Sequence, residues 1–326
     1  MSRGKYPLLV LLEYSVMQWI RDYKPDPDVT RLFRQALVIT LVGNIALAVG
    51  KAVVAWLSGS VALYADAANS TSDVFYSLMM VLGLWIARQP PDMGHPQGHG
   101  RFESVAGLIV AAAMTFAGYE AGRASLERFL SGGGIVELGW PTLALLFSAT
   151  VKAVMYSSIR QIAQKVSSPT LATVAQDNLS DVLTSVAAFA GIFGSKFLHP
   201  LTDPLAGALV ALWIVRAALQ AWKENLRYLT GAGAPPEIRE EIAAVAATVS
   251  GVLGVHQVIT EYVGPRLVAD LHIDVDGHIP LFEAHRISDE VRTQLEALPE
   301  VDRVYVHVEP CQSNPDGCFE SSRSQV

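Results

Sequence analysis

The sequence predicts an α-helical membrane protein: six transmembrane helices followed by a small α+β domain in water. Three observations carry that prediction. Apolar residues make up 51% of the 326 residues and charged residues only 17%, where a soluble domain carries roughly 25% charged residues. The charge deficit is concentrated between about residues 36 and 226, and the last hundred residues have the composition of a soluble domain. Within the charge-poor region, six apolar stretches each reach the roughly 20 residues that a helix needs to cross a bilayer.

Residues 1–30 form an N-terminal segment. Its apolar run from Pro7 to Ile20 is too short to span, contains Glu13 and lacks a small-residue cleavage site, so it reads as an interfacial or packed helix and not as a cleaved leader. The transmembrane domain covers residues 31–229, with spans at about 35–57, 61–87, 104–129, 138–162, 171–197 and 205–222. Small residues are frequent in these spans, as at Ala111, Ala112, Ala113 and Gly191, and they let helices approach closely in lipid.

Orientation follows from the loop cations. The N-terminal segment carries Arg3, Lys5, Arg21, Lys24, Arg31 and Arg34, whereas residues 58–60 and 131–137 carry none. Arg88, Arg101, Lys165, Lys223 and Arg227 fall on the same side as the N-terminus. Both termini are therefore expected to be cytoplasmic, in a cell inner (cytoplasmic) membrane.

Gly231 to Pro236 read as a linker into a domain at residues 230–310. There, Pro236–Val249 and Leu281–Leu298 have helical periodicity. Val255–Val263 and Leu267–Val275 alternate as strands around a Gly264-Pro265 turn, and Asp302–Val308 reads as a third strand. The order αββαβ predicts helices on one face of a sheet. Residues 311–326 are expected to be a disordered tail, with Cys311 and Cys318 as free thiols, since their spacing has no CxxC pattern. The net charge of −7 argues against a nucleic-acid partner.

Ionisable groups inside spans are costly and mark function. The second span holds Asp66, Asn69 and Asp73, spaced i, i+3, i+7 on one helix face; the fifth holds Asp177 and Asp181, spaced i, i+4. Asn69, Asp73, Asp177 and Asp181 are expected to meet as a four-oxygen cage whose three negative charges call for a divalent cation. A second group, Asp92, His95 and His99, lies in a loop rich in Gly and Pro, and carboxylate with imidazole suits a zinc-like ion. A third set, His256, His272, His285 and His307, is spread over the C-terminal domain with acidic residues between them.

These segments resemble the cation diffusion facilitator family. The stretch from Ser58 to Asp73 is similar to that family's second helix, and His95-Pro-Gln-Gly-His-Gly-Arg-Phe-Glu103 to its loop motif. Asp177-Asn-Leu-Ser-Asp181 resembles its fifth-helix half-site, Asp203-Pro204 the start of its sixth helix, and Val306-His-Val-Glu-Pro310 its last strand. The likeness runs from about Arg31 to Pro310. It implies a six-helix bundle with a ferredoxin-like cytosolic domain, a homodimer in the lipid bilayer, and export of divalent metal ions in exchange for protons. It makes Asn69, Asp73, Asp177 and Asp181 the transport site and Asp92, His95 and His99 the loop site. His256, His272, His285, His307 and Glu309 become a cytosolic metal site.

Zinc members of the family carry His or Asp at the position of Asn69 and His at that of Asp177, and this sequence departs at both. Its DxxxD pattern is closer to manganese members. The donor chemistry agrees, because four oxygen ligands without imidazole suit the harder Mn²⁺ over Zn²⁺. Zn²⁺, Fe²⁺, Co²⁺ and Cd²⁺ are the alternatives. The expected cycle alternates access to the site, with protonation of the clustered carboxylates releasing the ion outside. An enzyme is not expected, as the spans offer no separate nucleophile or general base. A metal-sensing or scaffold membrane protein is the rival reading.

Overall fold

A computed structural model describes Ile20 and residues 26–58, 61–132 and 140–311. The run Pro7 to Ile20 therefore lies outside the described residues, except for Ile20 itself, as do Cys318 and the tail beyond Cys311. Six long helices come first: α1 (Pro27–Ser58), α2 (Val61–Ala87), α3 (Arg101–Leu130), α4 (Trp140–Val166), α5 (Pro169–Phe197) and α6 (Thr202–Leu229).

Local chemistry fixes several of these ends. At the start of α1, Asp26 Oδ1 accepts from the amides of Asp28 and Val29 at 2.8 and 3.2 Å. Before α5, Ser168 Oγ accepts from the amide of Leu171 at 3.1 Å and Pro169 occupies the first turn, where its missing N–H costs nothing.

The bundle is apolar on the outside as well as the inside. Met80, Leu84, Met114, Ile159 and Leu171 are buried, yet Val42, Phe116, Leu209 and Leu212 are 58%, 60%, 70% and 69% exposed. Faces of that kind belong against lipid. Helices α1, α3 and α6 are each long and apolar enough to cross a membrane by themselves. Helices α2 and α5, at 27 and 29 residues, are of comparable length and carry the acidic groups of the second and fifth spans. Helices α3 and α6 pack so closely that a Cβ on Gly107 would lie 2.0 Å from Asn225 Oδ1. Only glycine fits there.

The C-terminal unit comprises α7 (Pro236–Ala247), β1 (Gly254–Val263), β2 (Arg266–Asp276), α8 (Leu281–Glu296) and β3 (Val301–Cys311). The sheet order is β1-β2-β3, with β1 antiparallel and β3 parallel to β2. Gly264, at φ +67°, makes the β1–β2 turn, and α8 is the crossover that a parallel pair requires. Along β2 the odd residues Leu267, Ala269, Leu271, Ile273 and Val275 are buried. They pack with Ile242 of α7 and Ile287, Val291 and Leu295 of α8. The even residues, His272 and Asp274 among them, project from the opposite face.

The sequence reading differs from the structure at the end of the chain. Strand β3 continues through Cys311 and does not stop at Val308, because its ladder with β2 pairs Asp276 with Cys311. Cys311 is disulfide-bonded, against the expectation of a free thiol.

The two units touch at the end of the bundle that holds the α2–α3 loop. Arg101 of α3 is ion-paired with Glu261 of β1. The rings of Tyr228 and Tyr262 meet edge to face at 4.8 Å. Gly264 sits so close to Gly100 that an added Cβ would lie 2.5 Å from the Gly100 carbonyl oxygen.

Candidate metal centre

Three groups of candidate ligands occupy three settings. Inside the bundle, Asp73 of α2 and Asp177 and Asp181 of α5 line one cavity of about 270 Å³, together with Asn44, Asn178 and Glu120. The side chains of Asp66 and Asn69 lie outside the described residues. Asn44 and Asn178 are 6% and 1% exposed. Their amide oxygens have no hydrogen-bond partner among the described residues. Ser77 links this wall together: Asn44 Nδ2 donates to its hydroxyl at 2.6 Å, and the hydroxyl donates to the Asp73 carbonyl at 2.7 Å.

The residue that sequence reasoning missed is Lys152. It projects from α4 and is 4% exposed. Its Nζ lies 2.7 Å from Asp181 Oδ2 and 3.6 Å from Asp73 Oδ2, so one ammonium bridges three helices. A buried ammonium persists only when paired, and two carboxylates pair this one. The signal that was available is simple: a lysine inside an otherwise apolar span is costly and needs an anionic partner.

Glu103, quoted in the loop motif but given no role, is also buried. It is 1% exposed, with Arg88 Nη2 at 3.3 Å and a hydrogen bond from Ser168. Thr170 donates to its carbonyl at 2.6 Å. Through these contacts it ties α3 to the end of α2 and the start of α5.

In the α2–α3 loop, Asp92, His95 and His99 offer ligand atoms within 4.8 Å of one another. Asp92 Oδ1 accepts from the amides of His95 and Gly94 at 2.7 and 2.9 Å. Those hydrogen bonds, that of His95 first, hold its carboxyl below the usual carboxylate range. The rings of His95 and His99 lie 4.4 Å apart. The Nδ1 of His99 is buried with no hydrogen-bond partner among the described residues.

On the open face of the C-terminal sheet, His256, His272 and Glu309 gather within the same 4.8 Å limit. Strand register explains this. The β2–β3 ladder sets His272 opposite His307 and Asp274 opposite Glu309. An irregularity between Val255 and Gln257 re-aims His256 towards them, as bulges do. His272 Nδ1 lies 2.8 Å from Glu309 Oε1, and this hydrogen bond holds the Glu309 carboxyl below its ordinary value. His256 lies 3.6 Å from Glu309 and 3.2 Å from Asp274, a partner that sequence reasoning did not include. His307 Nε2 sits at the edge, 3.8 Å from Glu309 Oε1.

His285 stands apart from this set. It lies on α8, which covers the other face of the sheet, and pairs with Asp289 at 3.5 Å.

A helical bundle with apolar outer faces, carboxylates gathered inside it and imidazole clusters outside it is the architecture of a metal transporter. Residues 37–230 match the cation efflux transmembrane domain, and residues 234–311 match the cation efflux protein cytoplasmic domain. The chain belongs to the cation diffusion facilitator family, and is a multi-pass membrane protein that moves metal cations out. An uncharacterized transporter of Methanocaldococcus jannaschii is 35% identical over 86% of this chain and 99% of its own length. Metal tolerance protein C1 of Arabidopsis thaliana is 31% identical over 88% of this chain and 64% of its own length. The manganese efflux system protein MneS of Bacillus subtilis is 28% identical over 84% of this chain and 94% of its own.

Proposed function

We propose that this chain exports Mn²⁺ from the cytoplasm in exchange for protons, with Asn69, Asp73, Asp177 and Asp181 as the transport site. What carries the reading is the convergence of carboxylates from α2 and α5 on one cavity in the middle of the bundle. Among the described residues lining that cavity there is no histidine. All-oxygen donors suit a hard divalent ion, and Zn²⁺ would lose its preferred imidazole there. The relatives named for manganese efflux, MneS and MneP, point the same way at 28% and 26% identity.

In the proposed cycle the carboxylates bind the ion while the cavity faces the cytoplasm, and release it outside as protons take its place. Clustered carboxylates repel one another, so proton binding relieves the charge that metal departure leaves. Both termini face the cytoplasm, and the division is an N-terminal segment to about residue 30, a membrane domain to 229 and a cytosolic domain from 230 to 310. The cytosolic domain pairs with its copy in a homodimer. Metal at His256, His272 and Glu309, with His307 beside them, and at Asp92, His95 and His99 regulates the transport equilibrium and is not itself carried.

The test is flux into proteoliposomes under an imposed pH gradient, with Mn²⁺, Zn²⁺, Fe²⁺, Co²⁺ and Cd²⁺ in turn. Flux led by Mn²⁺ and dependent on the gradient is the expected result. Flux led by Zn²⁺ would defeat the selectivity argument, and flux indifferent to the gradient would defeat proton exchange. No flux of any ion in folded protein would favour the sensor or scaffold reading.

A further inference from the structure

We infer that Lys152 is a tethered counter-cation that occupies the transport site between loads, and that an arriving metal ion must displace it. The inference rests on the reading of Asp73, Asp177 and Asp181 as the transport site and assigns that site a fourth, cationic member.

Geometry makes the ammonium and the metal mutually exclusive. Lys152 Nζ lies between Asp181 Oδ2 at 2.7 Å and Asp73 Oδ2 at 3.6 Å. An ion bridging those two carboxylates would sit roughly 2.0–2.6 Å from the same oxygens, as hard divalent cations do. It would overlap the ammonium. Lys152 must therefore leave Asp181 when metal binds, and its long flexible stem allows the swing. Asn44 and Asn178 are among the residues lining the cavity, and their buried amide oxygens have no hydrogen-bond partner among the described residues, so they are acceptors a displaced ammonium could take up.

Charge gives the reason for such a device. Three carboxylates facing one cavity in a membrane would carry three negative charges if all were ionised, and removing such charges from water is very costly unless they are paired. One resident ammonium reduces the excess and holds α2, α4 and α5 in register while the site is empty. It also competes with the cargo. A site of bare carboxylates would bind a divalent ion tightly and let it go slowly. The tethered cation weakens binding and hastens release by returning to Asp181 as the metal departs. Lys51 of α1 also acts electrostatically on Asp73, and Lys152 lies within ion-pair distance of both Asp73 and Asp181.

The experiment compares Lys152→Met, Lys152→Gln and Asp177→Ala in the full-length protein, titrated with Mn²⁺ and with Zn²⁺ and assayed for flux in proteoliposomes. The binding titre lost in Asp177→Ala identifies the transport site among the other metal sites. At that site, removing the lysine charge should lower the Mn²⁺ Kd by roughly tenfold or more, given the strength of a contact charge in a partly buried setting. The maximal flux should fall at the same time, because release slows. A merely structural lysine would give the opposite sign, with weaker binding on its removal. Unchanged or weaker binding in folded Lys152→Met and Lys152→Gln overturns the proposal while leaving the transport-site reading intact. Failure of both variants to fold also overturns it, because a cation that the fold requires cannot leave in every cycle. Full retention of binding and flux in Asp177→Ala would sink the transport-site reading itself.

Discussion

Asp73 and Asp181 flank the Lys152 ammonium inside a helical bundle, with Asp177 lining the same cavity, whereas His256, His272 and Glu309 gather on the open face of a three-stranded sheet. In the first setting charge balance inside the bundle weighs heavily, and the Lys152 ammonium sits against two of the carboxylates. In the second, water screens the charges, imidazoles supply neutral donors, and strand register does the positioning. A carried ion must be released in every cycle, which favours the first arrangement. An ion that stays bound favours the second.

The comparison breaks most plainly on the variant with the largest expected effect. Asp177→Ala should reduce metal flux to the liposome background while the protein stays monodisperse. Flux near that of the unmodified protein would mean that the bundle carboxylates are structural. Next in size, His272→Ala with Glu309→Ala should leave flux at saturating metal within a few-fold of the unmodified protein. The same pair should abolish metal-induced stabilisation of the C-terminal domain, which would otherwise reach about 2.7 kcal/mol at a hundredfold excess of metal over its Kd. A loss of flux as deep as that of Asp177→Ala would erase the distinction between the two sites.

The junction tests whether the two sites communicate. Arg101 and Glu261 are each about half exposed, so Arg101→Gln should cost under about 1 kcal/mol of stability. It should nonetheless uncouple flux from metal held on the sheet, seen as equal flux in Arg101→Gln with and without the His272→Ala and Glu309→Ala changes. The smallest effect expected is at the far end of the sheet's open face. The amide and ring of His278 hold the Asp276 carboxyl below the usual range. Its folded value is depressed, so its contribution is present above the unfolded carboxylate pKa near 3.9 and is lost as pH falls through the folded value. Asp276→Asn should therefore lower Tm slightly at pH 7 and not at all in strong acid. A large effect at pH 7 would show that single charges on this face matter more than screening allows.

Most of the fold was legible along the chain because its signals are local. Apolar runs of spanning length, the Gly264-Pro265 turn and the alternation along β2 each sit within one element. The i, i+4 spacing of Asp177 and Asp181 set them on one helix face before any packing was known. Only the tertiary structure decided who meets them. Lys152 lies 79 residues after Asp73 and 29 before Asp181, and nothing in its own helix points to either. The pairing exists because α4 packs against both α5 and α1, and α1 in turn packs against α2. The histidines teach the same lesson with the opposite result. His256, His272, His285 and His307 looked alike as a set, yet strand register and a bulge brought His256 and His272 to Glu309 and drew in Asp274, while α8 carried His285 to the far side of the sheet. Periodicity is a property of one element and can be read from it. Register, crossover and helix packing join elements distant in sequence, so the partners they bring together follow from the fold alone.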